Sequence, residues 1–380
     1  MLASMSEAGR RALLSKVPEW EGVQVEVPSS INLQQASGSA AARLKAELLA
    51  GCGRIADLTG GLGVDSWAFA QTASALWYNE RDAALRSAVE RNFALLGLKN
   101  VEFNSFDIQP GGGEWLRALS SFAPDAIYAD PARRDSLGKK VFIPEDCSPD
   151  VVELMPLLLG IAPTVLVKMS PMADITMLSR RFEGCLSELV VAGVSGECKE
   201  LLCVCRASAV FSGVRLWEDG EWYAGGSLSG AESCDDWGYP AGPGADTGES
   251  PGKEAACRPR LLFVPSPSLV KSGLPLPASF VRPDPGAQLY TVPYSFIMKG
   301  FGRYFELLED LPFGKESFRR IASEYGAAEV TARNLPLGSE ELRVRMGLKP
   351  GGRVHVFAFC PGGERRLLVC KKVLSPEKAL

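Results

Sequence analysis

Acidic residues close four successive short apolar runs: Asp57 after RIA, Glu80 in ALWYNE, Asp107 in VEFNSFD and Asp130 in AIYADPARR. Between the first two lies a glycine-rich turn with Gly60, Gly61 and Gly63, running into Asp65. Glycines let the backbone approach a ligand closely and take up positive φ. The start of the helix that follows offers unpaired N–H groups to a polar or anionic group. Glu80 lies 23 residues beyond Asp57, a spacing that places a carboxylate on ribose hydroxyls from a neighbouring strand end. A dinucleotide enzyme uses the same geometry, but Ser66 stands where its third glycine belongs. An acid ahead of the glycines suits a cationic, amino-acid-bearing cofactor better than a pyrophosphate. Asp107 is placed to accept from the exocyclic amine of an adenine. The turn alone could be a plain strand-to-helix corner, so the weight rests on the ordered series of acids.

The elements that must position these residues are legible as texture. RIADL (54–58), SALWY (74–78), VEFN (101–104), AIYA (126–129) and TVLVK (164–168) are strand-like. Helical stretches separate them, among them Asp82 to Leu96 and Pro171 to Phe182. Strands alternating with helices predict an α/β fold with a parallel sheet covered on both faces. LSELVVAGV (186–194) and ELLCVCRASAVF (200–211) follow without a helix between them, which predicts an antiparallel hairpin at the end of that sheet. Residues 1–50 read as an amphipathic helical segment broken by Pro18 and Pro28, and residues 51–223 as the cofactor-binding domain. Residues 224–259, dense in Gly, Ser, Pro and acids, read as a linker. In the remainder, RLLFVPSPSLV and AQLYTV are strand-like, helices are expected near Lys315 to Tyr325 and Ser339 to Gly347, and RVHVFAFC and RRLLVC read as strands.

Composition excludes several classes. Of 380 residues, 46% are hydrophobic and 23% charged, an ordinary globular balance. No apolar run approaches the roughly 20 residues a membrane span needs, and the N-terminus lacks the apolar stretch of a signal peptide. The ten cysteines contain no C-x-x-C pair, so reduced cytoplasmic thiols are expected and no metal site is assigned. The single histidine, His355, argues against Ser-His-Asp and Cys-His catalysis. Charge is unevenly spread: residues 313–380 carry +6 and the rest −10. A basic tail on an acidic body fits a module that meets a polyanion, or a solvated basic face.

At these residues the sequence resembles the class I S-adenosylmethionine-dependent methyltransferases. DLTGGLG resembles their first motif, YNERD their ribose-binding motif and NSFD their adenine-contacting motif. DPARR occupies the place of the D-P-P-Y/F/R motif of nucleic-acid methyltransferases. The resemblance covers about residues 50–211 and implies a Rossmann-like, seven-stranded sheet with helices on both faces. It also implies S-adenosylmethionine as cofactor, with Asp57, Gly61 and Gly63 at the methionine moiety, Glu80 at the ribose and Asp107 at the adenine. Thr59, Asp65 and Arg81 of the same segments join that set. More narrowly, KVPEW, KMSPM, GECKELL and TARNLPLGSEELRVRMGLKPGG resemble bacterial methyltransferases with a THUMP-like C-terminal domain. That resemblance implies a small ferredoxin-like connector over 260–312, a THUMP-like α+β unit over 313–380, and structured RNA (tRNA or rRNA) as partner.

For the transfer itself, Asp130, Pro131, Arg133 and Lys168 are the candidate catalytic residues. Ala132 replaces the motif's second proline and Arg133 its aromatic, a departure from a base-stacking amine mechanism. Arg133 and Arg134 could instead hold a phosphate or carboxylate. Cys147 and Cys198 are the loop cysteines that could attack a pyrimidine ring. In the tail, Arg333, Arg343, Arg345, Lys349, Arg353, Arg365 and Arg366 are the RNA-binding candidates, with Lys371 and Lys372 beside them. A methyltransferase acting on protein or a small molecule, an RNA-binding protein with a vestigial cofactor fold, and a nicotinamide enzyme are the competing readings.

Overall fold

The structure is a computed structural model that describes residues 6–133, 147–224, 261–282, 288–292 and 300–373. The chain divides into two compact units, Met1–Trp222 and Tyr223–Leu380.

In the first unit, short apolar runs become strands, largely buried except at the edge strand Val101–Asn104. They are β1 (Arg54–Asp57), β2 (Ala75–Asn79), β3 (Val101–Asn104), β4 (Ala126–Ala129) and, past the short pair β5 (Ala132–Arg133) and β6 (Cys147–Ser148), β7 (Thr164–Met169). β8 (Leu186–Val194), β9 (Glu197–Cys205), β10 (Val214–Glu218) and β11 (Glu221–Trp222) complete a sheet in the order β11-β10-β8-β9-β7-β4-β1-β2-β3. β3, β2, β1, β4 and β7 pair in parallel, whereas β9 runs antiparallel between β7 and β8. The expected seven strands are all present, and β10 and β11 extend the edge. The expected hairpin is β8–β9, but its second strand starts at Glu197 and stops at Cys205. Residues 206–211 therefore leave the strand, and Glu197–Lys199 belong to it.

Helices fill both sides: α4 (Val64–Ala70), α5 (Ala83–Leu95), α6 (Glu114–Phe122), α7 (Val151–Ile161) and α8 (Ile175–Arg181). Asp82, Asp150 and Asp174 cap three of them by accepting first-turn N–H groups. The first fifty residues are not a separate body. α1 (Glu7–Lys16), α2 (Ser30–Gln35) and α3 (Ser39–Leu48) send Leu13, Leu33, Leu44 and Ala46 into the same core as Ile55, Tyr78 and Leu202. α3 packs on α4 and β8.

The second unit is built on one six-stranded sheet in the order β13-β12-β14-β17-β16-β15. Its strands are β12 (Leu261–Pro265), β13 (Tyr290–Val292), β14 (Gly302–Pro312), β15 (Glu329–Ala332), β16 (His355–Phe359) and β17 (Arg366–Lys372). Alternation along β16 divides its faces: Val356 and Ala358 meet Phe318, Ile321 and Leu342 of α10 (Lys315–Tyr325) and α11 (Ser339–Met346), while Phe357 and Phe359 join Phe305 and Leu262. β14 pairs with β12 on one side and β17 on the other, so the expected division at 312/313 falls at the end of a strand inside one sheet. SPSLV, read as strand, is instead the helix α9 (Pro267–Ser272), started by the Ser266 cap and Pro267 in its first turn. The expected linker, 224–259, lies outside the described residues except for its first. Among the described residues, no helix is long and apolar enough to cross a membrane.

Candidate cofactor and transfer site

Parallel pairing brings the ends of β1, β2, β4 and β7 side by side, where α/β sheets bind ligands. A cavity of about 810 Å³ opens there. It is lined by Thr59 to Asp65, Glu80 to Asp82, Phe106 to Ile108, Asp130 to Ala132, Ser148, Pro149 and Lys168.

The glycine turn has reasons to be glycine. A Cβ at Gly60 would sit 2.1 Å from the Tyr78 ring, and one at Gly63 (φ +84°) would sit 2.8 Å from Val89 on α5. Tyr78 donates its hydroxyl to the Gly61 carbonyl at 2.6 Å. Glu80 reaches back to the turn, accepting the Gly61 N–H at 3.0 Å with one oxygen and the Asp82 N–H at 2.9 Å with the other. Asp57 is placed differently from Thr59, Gly61, Gly63, Asp65, Glu80, Arg81 and Asp107, all of which line the cavity. It is fully buried beneath the turn, where it accepts the Thr59 N–H at 2.9 Å and the Ser66 hydroxyl at 2.6 Å. Burial pushes its carboxyl up to about 7 against the pull of those two hydrogen bonds. Its place is to shape the turn from below.

Asn79, which the sequence did not single out, is buried and locks the third loop to the first. Its amide nitrogen donates to the Leu58 and Phe106 carbonyls, each at 3.0 Å, and its oxygen accepts the Phe106 N–H at 2.7 Å. The Phe106–Ile108 wall and the exposed Asp107 carboxylate are set by that clasp.

At the other end of the cavity, Asp130 donates its N–H to the Thr59 hydroxyl at 2.6 Å. Its carboxylate accepts the Lys168 ammonium at 2.7 Å. Burial lowers the proton affinity of Lys168, but Asp130, Glu200 and Asp65 outweigh it and raise the pKa above the ordinary lysine value. Lys168 is therefore a fixed cation and not a base. Pro131 lines the cavity, and Arg133 lies in β5, pairing with Cys147 of β6. The Arg133 side chain and Arg134 are outside the described residues. Cys147 is buried and Cys198 half-buried on β9, and neither lines the cavity.

Two further groups escaped the sequence reading. The N-terminal segment supplies a wall of the cavity through Asn32, Gln35, Ala36 and Ser37. Lys16 clips that wall in place, donating to the carbonyls of Leu33, Gln34 and Ala36 at 2.8 Å each. Behind the cavity, Lys45 is fully buried between Asp65 at 3.0 Å and Glu200 at 2.7 Å. Asp65 also accepts from the Tyr128 and Ser37 hydroxyls at 2.8 and 2.9 Å. Nothing near either lysine in sequence advertises these partners.

The basic residues of the second unit divide into bound and available. Arg343 is tied to Glu340 and to the Leu348 carbonyl at the end of α11, and Arg366 pairs with Asp310 at 2.8 Å. Arg345, Lys349, Arg353 and Arg365 are exposed, the last two over the rings of Tyr325 and Phe313, and Arg333 is half-exposed. His355 takes no part in such a surface; it stacks on Phe357 at 4.2 Å and bonds Thr331 at 2.8 Å.

The cavity's lining fits the implied cofactor: a glycine turn for a close backbone approach, the Glu80 carboxylate at the end of the neighbouring strand, and more acids than bases for a cationic ligand. Comparison with known proteins agrees. A crystal structure from Porphyromonas gingivalis W83, described as a candidate methyltransferase, is similar over 97% of this chain and 88% of that one, with 27% identity and a TM-score of 0.74. The THUMP domain-like family matches residues 302–372. The chain has the fold of a methyltransferase, with a THUMP domain-like unit at its C-terminal end. The family match opens at the first residue of β14 and closes at the last of β17. An rRNA methylase from Streptococcus thermophilus is matched more loosely by the methyltransferase, over 44% of this chain and 93% of that one, with 15% identity and a TM-score of 0.31. Curated proteins gave no match.

Proposed function

We propose that this protein transfers a methyl group from S-adenosylmethionine to structured RNA of the tRNA or rRNA kind, in the cytoplasm. One observation carries the reading: a cavity built from the cofactor motifs is joined, in one chain, to a THUMP-like domain whose residues 313–380 carry a +6 charge. Bound S-adenosylmethionine supplies an electrophilic methyl on a sulfonium. The chain must then hold an acceptor nucleophile in line with it, and most of the barrier reduction comes from that positioning and from fixed charges. Asp130 has one carboxylate oxygen on Lys168, and the other, which accepts from no group among the described residues, would take a proton-bearing acceptor group. Lys168, held protonated, opposes negative charge that builds on the acceptor. Glu80 takes the ribose hydroxyls, Asp107 the adenine amine, and Arg345, Lys349, Arg353 and Arg365 the phosphates. Ala132, where nucleic-acid methyltransferases carry the second proline of their motif, favours the second reading, an acceptor that is protein or small molecule.

One experiment separates them. Labelled S-adenosylmethionine is incubated with the protein and with total RNA and protein fractions, before and after nuclease. Nuclease-sensitive label is expected; label that survives nuclease and follows protein would sink the RNA acceptor. Calorimetry should show S-adenosylmethionine and S-adenosylhomocysteine binding, absent in Glu80→Ala and absent for NADH. No binding at tens of micromolar would overturn the enzyme assignment.

A further inference from the structure

The charges that hold the transfer site in register come from outside its motifs. Lys45 on α3 bridges Asp65, in the first turn after the glycine loop, to Glu200 on β9. The other oxygen of Glu200 lies 3.8 Å from the Lys168 ammonium, and Lys168 donates to Asp130 at 2.7 Å. A continuous run of alternating charge thus joins the cofactor loop to the acid of DPARR. Its central members are out of water: Lys45 is 0% exposed and Glu200 3%. Apolar residues of similar volume generally stabilise a core as well as buried ion pairs do, so stability alone does not account for the arrangement.

We propose that Lys45 and Glu200 are positioning residues for methyl transfer. Lys45 fixes Asp65 on the cofactor side; Glu200 fixes Lys168, and through it Asp130, on the acceptor side. The proposal rests on the cavity being an S-adenosylmethionine site. With the Glu200 carboxylate at 3.8 Å and Asp130 at 2.7 Å, the Lys168 ammonium is held from two directions and cannot follow a substrate out of place. Without Glu200, Asp130 is the only close partner of Lys168 among the ion pairs described, and the pair can swing together.

Two variants split the chain of charges. Glu200→Gln keeps the shape and removes the charge. Affinity for S-adenosylmethionine by calorimetry should stay within roughly threefold, while kcat for transfer to bulk bacterial tRNA and rRNA falls at least about tenfold and KM for RNA moves less than roughly threefold. Lys45→Met acts on the cofactor side. Asp65 is faced by Lys45 from α3, Lys168 from β7, Tyr128 from β4 and Asp57 from β1. Burial favours its neutral form, and Lys45 and Lys168 more than reverse this. With Lys45 gone, S-adenosylmethionine affinity should drop about tenfold and fall further as pH is lowered from about 8 to about 5.5. Lys45→Arg should restore the wild-type profile, which a merely structural role for the side chain would not require. Should Lys45→Met fail to fold, Lys45→Met/Glu200→Leu removes Glu200 together with its partner lysine and takes the same measurements. Wild-type affinity and an unchanged pH profile in Lys45→Met overturn the cofactor half; wild-type kcat in Glu200→Gln overturns the acceptor half. A wild-type protein that binds no S-adenosylmethionine overturns the cofactor assignment instead. One that binds it but methylates no RNA sinks only the RNA reading, and the Lys45 measurements still decide their half.

Discussion

At the residue scale, Asp57 is where a cofactor motif turns out to be a folding device. Its carboxyl is raised from 3.8 to about 7 in the folded protein, chiefly by burial. The folded state therefore binds a proton more readily than the unfolded chain, and stability is lost as pH rises from about 4 to about 7. Asp57→Asn, which cannot ionise and keeps one acceptor oxygen for Thr59 or Ser66, should flatten that decline. Thermal midpoints measured across this range check it, and an equal slope in both proteins would assign the loss to other groups. Gly60 gives a second prediction. Alanine there meets the Tyr78 ring at 2.1 Å, so Gly60→Ala should cost about 1–3 kcal/mol in denaturant unfolding and abolish cofactor binding. Both positions stand out in the sequence, as does every other residue of the glycine loop. Asn79, Lys45 and Glu200 do not. Lys45 sits in SAAARLKAEL, which reads as an ordinary surface lysine on an amphipathic helix, and its carboxylate partner is 155 residues away.

At the scale of elements, the N-terminal helices are more than a preface to the sheet. α2 is only six residues long and buries Leu33, too little to hold a short helix by itself. Lys16 secures its C-terminal carbonyls, and the Ser29 cap its first turn. Lys16→Met should free residues 29–37: their amides should exchange faster with deuterium, by a factor corresponding to about 1–3 kcal/mol, and S-adenosylmethionine affinity should fall. Unchanged exchange in that segment would rule out the clip. β4 was legible because a fully buried parallel strand reads as a continuous apolar run, AIYA; VEFN and LSELVVAGV also match β3 and β8 residue for residue, although β3 is only half-buried and β8 runs antiparallel to β9. β14 was hidden for the opposite reason. Its run GRYFELLEDLP carries Glu306, Glu309 and Asp310, and acids are depleted in strands. α9 hid behind the apolar run of β12, although Ser266 followed by Pro267 is a helix-start signal.

At the scale of the molecule, the division at Trp222/Tyr223 and the single sheet over 261–372 make truncations informative. Residues 1–222 alone should bind S-adenosylmethionine with near wild-type affinity and lose retention of RNA. A chain ended at 312 should fare worse than one ended at 222, because β14 would keep β12 and present its other, long edge unpaired. Size-exclusion chromatography and calorimetry of the two truncations check both statements; a monomeric, well-behaved 1–312 protein would refute the second. RNA affinity of the full chain should fall with salt at a slope near −0.7 per phosphate neutralised on single strands.

The reach from Lys45 to Glu200 also sets an order of events at synthesis. A ribosome adding roughly 5–20 residues per second needs on the order of ten to thirty seconds to pass from one to the other. Throughout that interval the lysine can meet Asp65 but has no carboxylate on β9, so its second ion pair waits. The sheet is closed only when β9 emerges and inserts between β7 and β8, long after the glycine loop has been made. On the nascent chain, the run of charge from Asp65 to Asp130 therefore closes late, when Glu200 reaches both lysines.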